Sequence, residues 1–146
     1  MTTIRQLLKE KGDEVATIRP DASVFDAIKT MADQDIGALV VMEAGRVVGL
    51  ITERIYAREV VLKGRTSPKT LVRDVMAANT PYATPDQGVE ECMAVMTQTR
   101  LRHLPVFERG ELVGLISMGD LVKSIIGHQE FTIEQLMHYI KGDIRT

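Results

Sequence analysis

This sequence of 146 residues has no tryptophan, only one cysteine and no long apolar run. The single cysteine, Cys92, cannot form an intramolecular disulfide, so a disulfide-stapled scaffold is excluded and a reducing compartment, the cytoplasm, is expected. The longest apolar runs, such as 38–42, are far shorter than the roughly 20 residues that a membrane helix needs. The first residues lack the apolar stretch of a secretion signal, so secretion is not expected. We therefore expect no membrane partner.

The net charge is also small: the 18 basic and 20 acidic residues give −2. Nucleic-acid affinity depends on neutralising several phosphates, so no nucleic-acid partner is expected. The sequence lacks a P-loop, a GxGxxG stretch, a nucleophile and base arrangement, and paired catalytic carboxylates. Its three histidines lack metal-ligand spacing. We expect no enzyme activity, no catalytic cofactor and no metal site.

What the sequence does contain is an internal repeat with an offset of 65 residues. Between the pairs Pro20/Pro85 and Ile51/Ile116, twelve of 32 aligned positions are identical. Ordinary residue usage would give roughly two. Two copies with so long a period indicate a duplicated subdomain rather than a solenoid.

Each copy has the pattern strand, helix, strand, strand, helix. A brief strand, at 15–18 or near 82–83, precedes an amphipathic helix, at 24–31 or 89–96. Two runs rich in valine and isoleucine then predict a hairpin around a glycine turn. Thr132 and Gln135 form a capping-box pattern that predicts a last helix.

These patterns predict an α/β (α+β) fold in which two pseudo-twofold-related three-stranded sheets, flanked by helices, pack on each other. Residues 1–64 are assigned to an N-terminal helix and the first repeat, and 65–80 to a linker with a short helix. The second repeat takes 81–127, and a C-terminal helix takes 128–146.

Both copies end their hairpin in Val-Gly-Leu-Ile followed by Thr or Ser, and the second contains Arg-His-Leu-Pro-Val at 102–106. These motifs resemble a pair of CBS domains, the regulatory modules named after cystathionine β-synthase. The likeness covers nearly the whole chain and is similar to small stand-alone bacterial proteins of this type. It implies binding of AMP, ADP or ATP, or of NAD or S-adenosylmethionine, in clefts between repeats. It also implies a homodimer and an effector protein whose identity is unknown.

The resemblance further implies a nucleotide site. Ser117 and Asp120 match a ribose motif in which the carboxylate accepts from both hydroxyls. The alternative is that they only cap their helix. Phosphate contacts are implied for Arg102 and His103, with Arg54 and Arg58 as candidates that could also be solvated charge. The remaining implied positions, which could equally be plain core, are Thr17, Ile18, Gly37, Ala38, Thr52, Ala83, Leu104, Pro105 and Ile116.

One position separates the two copies. Ile55 stands in the first copy where the second has Asp120, so Thr52 lacks a carboxylate partner. We therefore expect unequal clefts, with the tighter adenosine site at Ser117 and Asp120. The competing interpretation is a scaffold for dimerisation or protein interaction that binds no ligand.

Overall fold

The computed structural model describes residues 2–140. Its helices are α1 (Ile4–Lys11), α2 (Val24–Gln34), α3 (Glu53–Ile55), α4 (Val72–Val75), α5 (Val89–Thr99) and α6 (Met118–Ile140). A π-helical segment, Tyr56–Val61, continues α3, and a 3₁₀ turn covers Ser67–Lys69. The strands are β1 (Thr17–Ile18), β2 (Ala38–Glu43), β3 (Arg46–Thr52), β4 (His103–Glu108) and β5 (Glu111–Ser117).

The two halves form separate sheets. In the first half, β1 is parallel to β2, and β2 is antiparallel to β3. In the second half, β4 and β5 form a hairpin to which Ala83 adds a single parallel bridge opposite Val106. The predicted third strand there is thus only one residue long. Prolines 81 and 85 lie two residues to either side of Ala83 and cannot donate backbone hydrogen bonds. The pairing of this segment with β4 therefore does not extend beyond Ala83.

The prediction of a separate helix beginning near Thr132 is wrong, because α6 runs without a break from Met118 to Ile140. The Thr132 hydroxyl donates to the carbonyl of His128 one turn earlier, so this residue lies inside the helix instead of capping it. The boundary expected between 127 and 128 falls within the same helix. An interior glycine such as Gly127 costs only about 1 kcal/mol relative to alanine, which neighbouring helix formers offset.

Each half has its own core, and the halves exchange a helix. Ile4, Leu7 and Leu8 of α1 are buried with α5, β4 and β5 of the second half. Val72 and Val75 of α4 are buried with α2, β2 and β3 of the first. Division of the chain by residue order therefore separates α1 from the half against which it packs.

Equivalent backbone hydrogen bonds attach each exchanged helix to the half on which it packs. The amide of Val24 donates to Thr70, and the amide of Val89, 65 residues later, donates to Thr2. Arg73 donates to Pro20, and in the other half Arg5 donates to Pro85. The repeat in sequence is therefore a repeat of specific contacts.

The repeated glycine in Val-Gly-Leu-Ile has a packing role. A Cβ atom on Gly114 would lie 2.7 Å from Leu8 Cδ2 of α1, and one on Gly49 would lie 2.7 Å from the carbonyl oxygen of Ala77. Real Cβ atoms do not approach so closely. Glycine at these two positions therefore lets α1 pack on β5 and lets the residues just after α4 pack on β3.

Cys92 is buried, and burial, with a smaller effect of Glu91, raises the pKa of its thiol to about 11, far from that of a reactive thiolate. Among residues 2–140, no helix has the length and apolar character needed to cross a bilayer.

Candidate functional site

Two clefts open between the halves, and both are bordered by the end of a hairpin and the start of the following helix. The Asp120 cleft has a volume of about 650 Å³ and is lined by Lys11, Glu14, Val15, Ala16, Gln34, Asp35, Ile36, Gly37, Ala38, His103, Leu115, Ser117 and Asp120. The arginine cleft has a volume of about 470 Å³ and is lined by Gly37, Leu50, Thr52, Glu53, Arg54, Ile55, Arg58, Glu59, Ala77, Thr80, Arg100, Leu101, Arg102 and His103.

The linings of the two clefts are related by the same 65-residue offset. Leu115, Ser117 and Asp120 of one cleft correspond to Leu50, Thr52 and Ile55 of the other. The wall made by 36–38 corresponds to the wall made by 101–103. The duplication therefore produced two equivalent clefts whose side chains have since diverged.

In the Asp120 cleft, Ser117 and Asp120 cap α6 reciprocally. The Asp120 amide donates to the Ser117 hydroxyl at 3.1 Å, and the Ser117 amide donates to Oδ2 of Asp120 at 2.8 Å. The capping alternative is thus present in the structure. Oδ1 of Asp120 accepts no hydrogen bond from residues 2–140 and is not sealed from solvent, so it can still accept one from a ligand.

The second partner of Asp120 is Lys11, which lies at the end of α1, outside the aligned residues of the two repeats. Its ammonium donates to Oδ2 of Asp120 at 2.6 Å and to the carbonyl of Leu115 at 2.5 Å. Burial alone would raise the pKa of Asp120, but hydrogen bonds from Lys11 and Ser117 together with the charge of Lys11 outweigh it and hold the pKa below its usual value. Asp120 is therefore ionised at neutral pH.

Gly37 and His103 line both clefts and form the junction between them. A Cβ atom on Gly37 would lie 3.4 Å from Oε1 of Glu53 and 3.8 Å from the His103 ring, so a side chain there would narrow the junction. Burial, followed by the charge of Lys11, lowers the pKa of His103 in spite of the opposing effect of Asp120. The imidazole is consequently uncharged at neutral pH and gains a proton more readily beside an anion.

The arginine cleft has the same helix cap but the opposite charge. The Thr52 hydroxyl accepts from the amide of Ile55 at 3.1 Å, as Ser117 does for Asp120, yet Ile55 has no carboxylate where Asp120 has one. Four arginines line the cleft: Arg54, Arg58, Arg100 and Arg102. The pKa of Arg54 is lowered, first by the charge of Arg58 and then by desolvation and the charges of the other two arginines.

The structure places the implied site residues in three groups. Gly37, Ala38, His103, Ser117 and Asp120 line the Asp120 cleft. The arginine cleft takes Thr52, Arg54, Arg58 and Arg102, with Gly37 and His103 shared. Six residues line neither cleft: Thr17 and Ile18 in β1, the buried Ala83, Leu104 and Ile116, and the buried Pro105, whose carbonyl accepts from Ala83.

The charged lining residues that the sequence reasoning missed include Asp35, Arg100 and Lys11. The offset that pairs Gly37 with Arg102 also pairs Asp35 with Arg100, so both could have been found from the repeat alone. Lys11 could not, because nothing in its own sequence shows that α1 packs on the second half. Within the described part of the chain, no cluster of three His, Cys, Asp or Glu side chains could hold a metal ion.

Comparison with known proteins agrees with this architecture. The model of the CBS domain matches residues 4–61 and again 72–127. The mitochondrial CBS domain-containing protein CBSX3 of Arabidopsis thaliana is 35% identical over 97% of this chain and 73% of its own length. A solved structure of a protein with CBS domains from Burkholderia ambifaria superposes with a TM-score of 0.85 at 49% identity, covering 88% of this chain and 96% of that one. The hexameric CBS-CP12 protein of bloom-forming cyanobacteria has a TM-score of 0.75 at 28% identity, over 84% of this chain and 70% of that one.

A duplicated αβ unit with exchanged helices and two inter-repeat clefts defines a paired regulatory module. The chain belongs to the CBS domain family, and it carries two CBS domains arranged as a pair.

Proposed function

We propose that this CBS pair is a non-catalytic sensor that binds an adenosine nucleotide in the Asp120 cleft. AMP, ADP and ATP are the primary candidates, with NAD and S-adenosylmethionine as related adenosyl compounds. The observation that carries the proposal is the carboxylate of Asp120, which is held ionised and fixed in place while Oδ1 stays available. Vicinal ribose hydroxyls are donors that match such an acceptor.

The remainder of the Asp120 cleft suits a nucleoside. Its volume of about 650 Å³ lies within the range of small-molecule sites. Val15, Ala16, Ile36 and Ala38 give it an apolar wall with backbone groups at the rim, as an adenine ring requires. His103 at the junction can donate to a phosphate and take up a proton on doing so.

Thermal shift and calorimetry with adenosine, AMP, ATP, NAD and S-adenosylmethionine test the proposal. A ligand at 100 times its dissociation constant should stabilise the protein by about 2.7 kcal/mol. Asp120→Ala should weaken adenosine at least tenfold, since it removes a charge-assisted acceptor. Asp86→Ala removes an exposed carboxylate outside both clefts and should leave adenosine affinity unchanged. Absence of binding for every adenosyl compound would reject the proposal.

We also propose that the protein self-associates through α6, with a second copy as the partner. Every residue from Ile126 to His138 is exposed, although an isolated helix of this length is marginal in water. Residues on one stripe follow the alternating spacing of four and three that fits another helix: Val122, Ile126, Gln129, Ile133 and Leu136. The cyanobacterial CBS-CP12 relative is itself hexameric, which supports association between like chains.

Sedimentation at micromolar concentration tests self-association. The natural protein should sediment as a dimer or larger, and Ile133→Glu combined with Leu136→Glu should produce a monomer. Gln135→Glu, on the same helix but off the stripe, should leave the mass unchanged. A monomeric natural protein would reject this interface. Self-association without binding of any adenosyl compound would instead favour the scaffold interpretation.

A further inference from the structure

One oxygen of the Asp120 carboxylate is already saturated by the protein itself. The Lys11 ammonium donates to Oδ2 of Asp120 at 2.6 Å and to the carbonyl of Leu115 at 2.5 Å. The Ser117 amide donates to the same Oδ2 at 2.8 Å. Each carboxylate oxygen offers about two lone pairs, so these two donors fill Oδ2. Oδ1 is the oxygen that accepts nothing from residues 2–140.

A ribose has to displace one of these donors if it is to use both oxygens of Asp120. A single hydroxyl can donate to Oδ1 and leave the rest of the cleft unchanged. A vicinal pair that engages both oxygens needs a place on Oδ2 as well. The Ser117 amide is fixed by the backbone, whereas Lys11 holds its ammonium on a flexible four-carbon stem. Lys11 is therefore the donor that leaves.

Lys11 also attaches the end of α1 to the second half. Residues 9–14 are all exposed. Within the described part of the chain, the hydrogen bonds that join them to the second half are the two made by Lys11. The other half has two backbone bonds between Leu50 and Ala77 at the corresponding place. Gly12 follows α1 at φ 100° with open space around it, so packing does not hold the chain there.

A neighbouring groove provides room for the displaced side chain. Lys11 and Asp120 line the Asp120 cleft, and both also line a groove of about 840 Å³ between α1 and α6. The ion pair therefore stands between the two cavities. Glu10 and Glu130 line the groove too, so an ammonium that moves into it stays near negative charge.

We infer that Lys11 competes with the ligand for Asp120 and thereby sets how strongly the cleft distinguishes a ribose from a deoxyribose. This inference rests on the proposed adenosine site. Adenosine displaces Lys11 when both hydroxyls of its vicinal pair donate to the carboxylate. 2′-Deoxyadenosine has one hydroxyl of that pair and uses Oδ1 alone. The ion pair thus offsets part of the advantage of a ribose, and binding of a ribose releases the end of α1.

Calorimetry with adenosine and 2′-deoxyadenosine on the full chain tests the competition. Lys11→Met should tighten adenosine about fivefold, as expected for loss of a partly exposed ion pair, and should change 2′-deoxyadenosine by less than about twofold. Lys11→Arg keeps the charge and should restore the natural ratio of the two affinities. Lys9→Met, on the same helix but outside both clefts, is the matched control and should have no effect.

Salt gives a second signature of the same competition. Adenosine is uncharged, whereas the ion pair that it displaces is weakened by salt. Adenosine should therefore bind the natural protein more tightly as the salt concentration rises. The Lys11→Met variant should not show this increase, and neither should 2′-deoxyadenosine with the natural protein.

Amide hydrogen exchange tests the release of α1 separately from affinity. The Gly12 amide donates to the carbonyl of Leu8 at the end of the helix. Its exchange should become faster when adenosine binds, but not when 2′-deoxyadenosine binds. Lys11→Met should produce the faster exchange without any ligand, and Lys9→Met should not.

The outcomes separate this inference from the proposed adenosine site. Adenosine that binds a folded Lys11→Met variant no more tightly than the natural protein would overturn the competition. If no adenosyl compound binds, the proposed function is rejected, and exchange in the ligand-free protein judges the role of Lys11. Equal exchange in Lys11→Met and Lys9→Met would then overturn it, and faster exchange in Lys11→Met would support it.

Discussion

The Asp120 cleft and the arginine cleft are formed by equivalent parts of the two repeats and differ mainly in charge. Both are closed by a hydroxyl that caps the helix after the hairpin, Ser117 in one and Thr52 in the other. Around that shared cap, a fixed carboxylate marks the first cleft, and four arginines without a carboxylate within 4.0 Å among residues 2–140 mark the second. Duplication preserved the backbone that forms a cleft and left its chemistry free to change.

The two clefts also differ in the group that forms hydrogen bonds with the backbone of the second hairpin strand, which is β3 in one half and β5 in the other. In the arginine cleft, Leu50 exchanges two backbone hydrogen bonds with Ala77, both 2.9 Å long. In the Asp120 cleft, the carbonyl of the equivalent Leu115 accepts from the side chain of Lys11. A side chain can be displaced by a ligand far more readily than a backbone pair, so the Asp120 cleft is the more adaptable of the two.

The largest expected effect concerns the glycine that precedes each of these leucines. Gly49→Ala should destabilise the protein by about 3 kcal/mol, because its Cβ meets a backbone oxygen at 2.7 Å. Gly114→Ala should cost only about 1 kcal/mol, since its Cβ meets the flexible end of Leu8. Denaturant unfolding measures both. Gly127→Ala, with open space around it inside α6, should stabilise by up to about 1 kcal/mol and serves as control. Equal losses at 49 and 114 would contradict the stated difference.

The next effect would make the two clefts alike. Ile55→Asp places a carboxylate where Asp120 stands in the other half, so adenosine should bind a second site more strongly, by about 1.4 kcal/mol or tenfold. Calorimetry with adenosine checks the gain. Ile55→Asn adds polarity without charge and is the matched control. An adenosine affinity that is unchanged in Ile55→Asp would contradict the assignment of the carboxylate to the ribose.

A smaller effect concerns Lys11. Lys11→Met should cost about 1 kcal/mol at pH 7, because the ion pair is only partly exposed. The pKa of Asp120 is depressed in the folded protein, so this contribution should be present above about pH 4, the ordinary range of aspartate, and be lost as pH falls through the lower folded value. Unfolding across pH 2 to 7 measures it. Lys63→Met, which breaks a more exposed pair, should cost less than Lys11→Met. A Lys11→Met loss that is independent of pH would show that Lys11 acts by packing.

The smallest effect is expected at the ends of α2 and α5. Arg100→Asn should stabilise the fold by about 0.5 kcal/mol, because asparagine tolerates the left-handed region better than arginine. Asp35→Asn, at the equivalent left-handed position of α2, should change stability little. Thermal unfolding measures both variants. Loss of stability at Arg100 would mean that its side chain supports the fold.

Much of the fold could be predicted from the sequence because the repeat is a pattern of burial. The aligned apolar positions at 24 and 89, 31 and 96, and 51 and 116 are buried in both halves. The exchange of α1 and α4 could not be predicted, since either helix could cover either sheet by periodicity alone. The start of the last helix was misplaced because Thr132 and Gln135 fit a cap as well as a helix interior.

The candidate site was predictable in part for the same reason. The difference between Ile55 and Asp120 follows from aligning the two copies. The partner of Asp120 depends on tertiary packing, since Lys11 lies 109 residues away. The charge of the other cleft depends on the turn before β4, where Arg100 and Arg102 meet arginines from α3 and the π-helical segment that continues it. Only three-dimensional proximity distinguishes such a cluster from solvated charge.

Helix α6 has a mechanical consequence. Its first turn holds Asp120, and its 23 residues span about 34 Å to the far end. Leu121 fixes the first turns in the core, whereas Ile126–His138 is exposed on all sides. Any tilt of the first turns, beside the Asp120 cleft, would therefore be carried along the helix to its exposed end. A tilt of about 5° there would displace the far end by about 3 Å, a shift comparable to the helix movements that switch subunit interfaces.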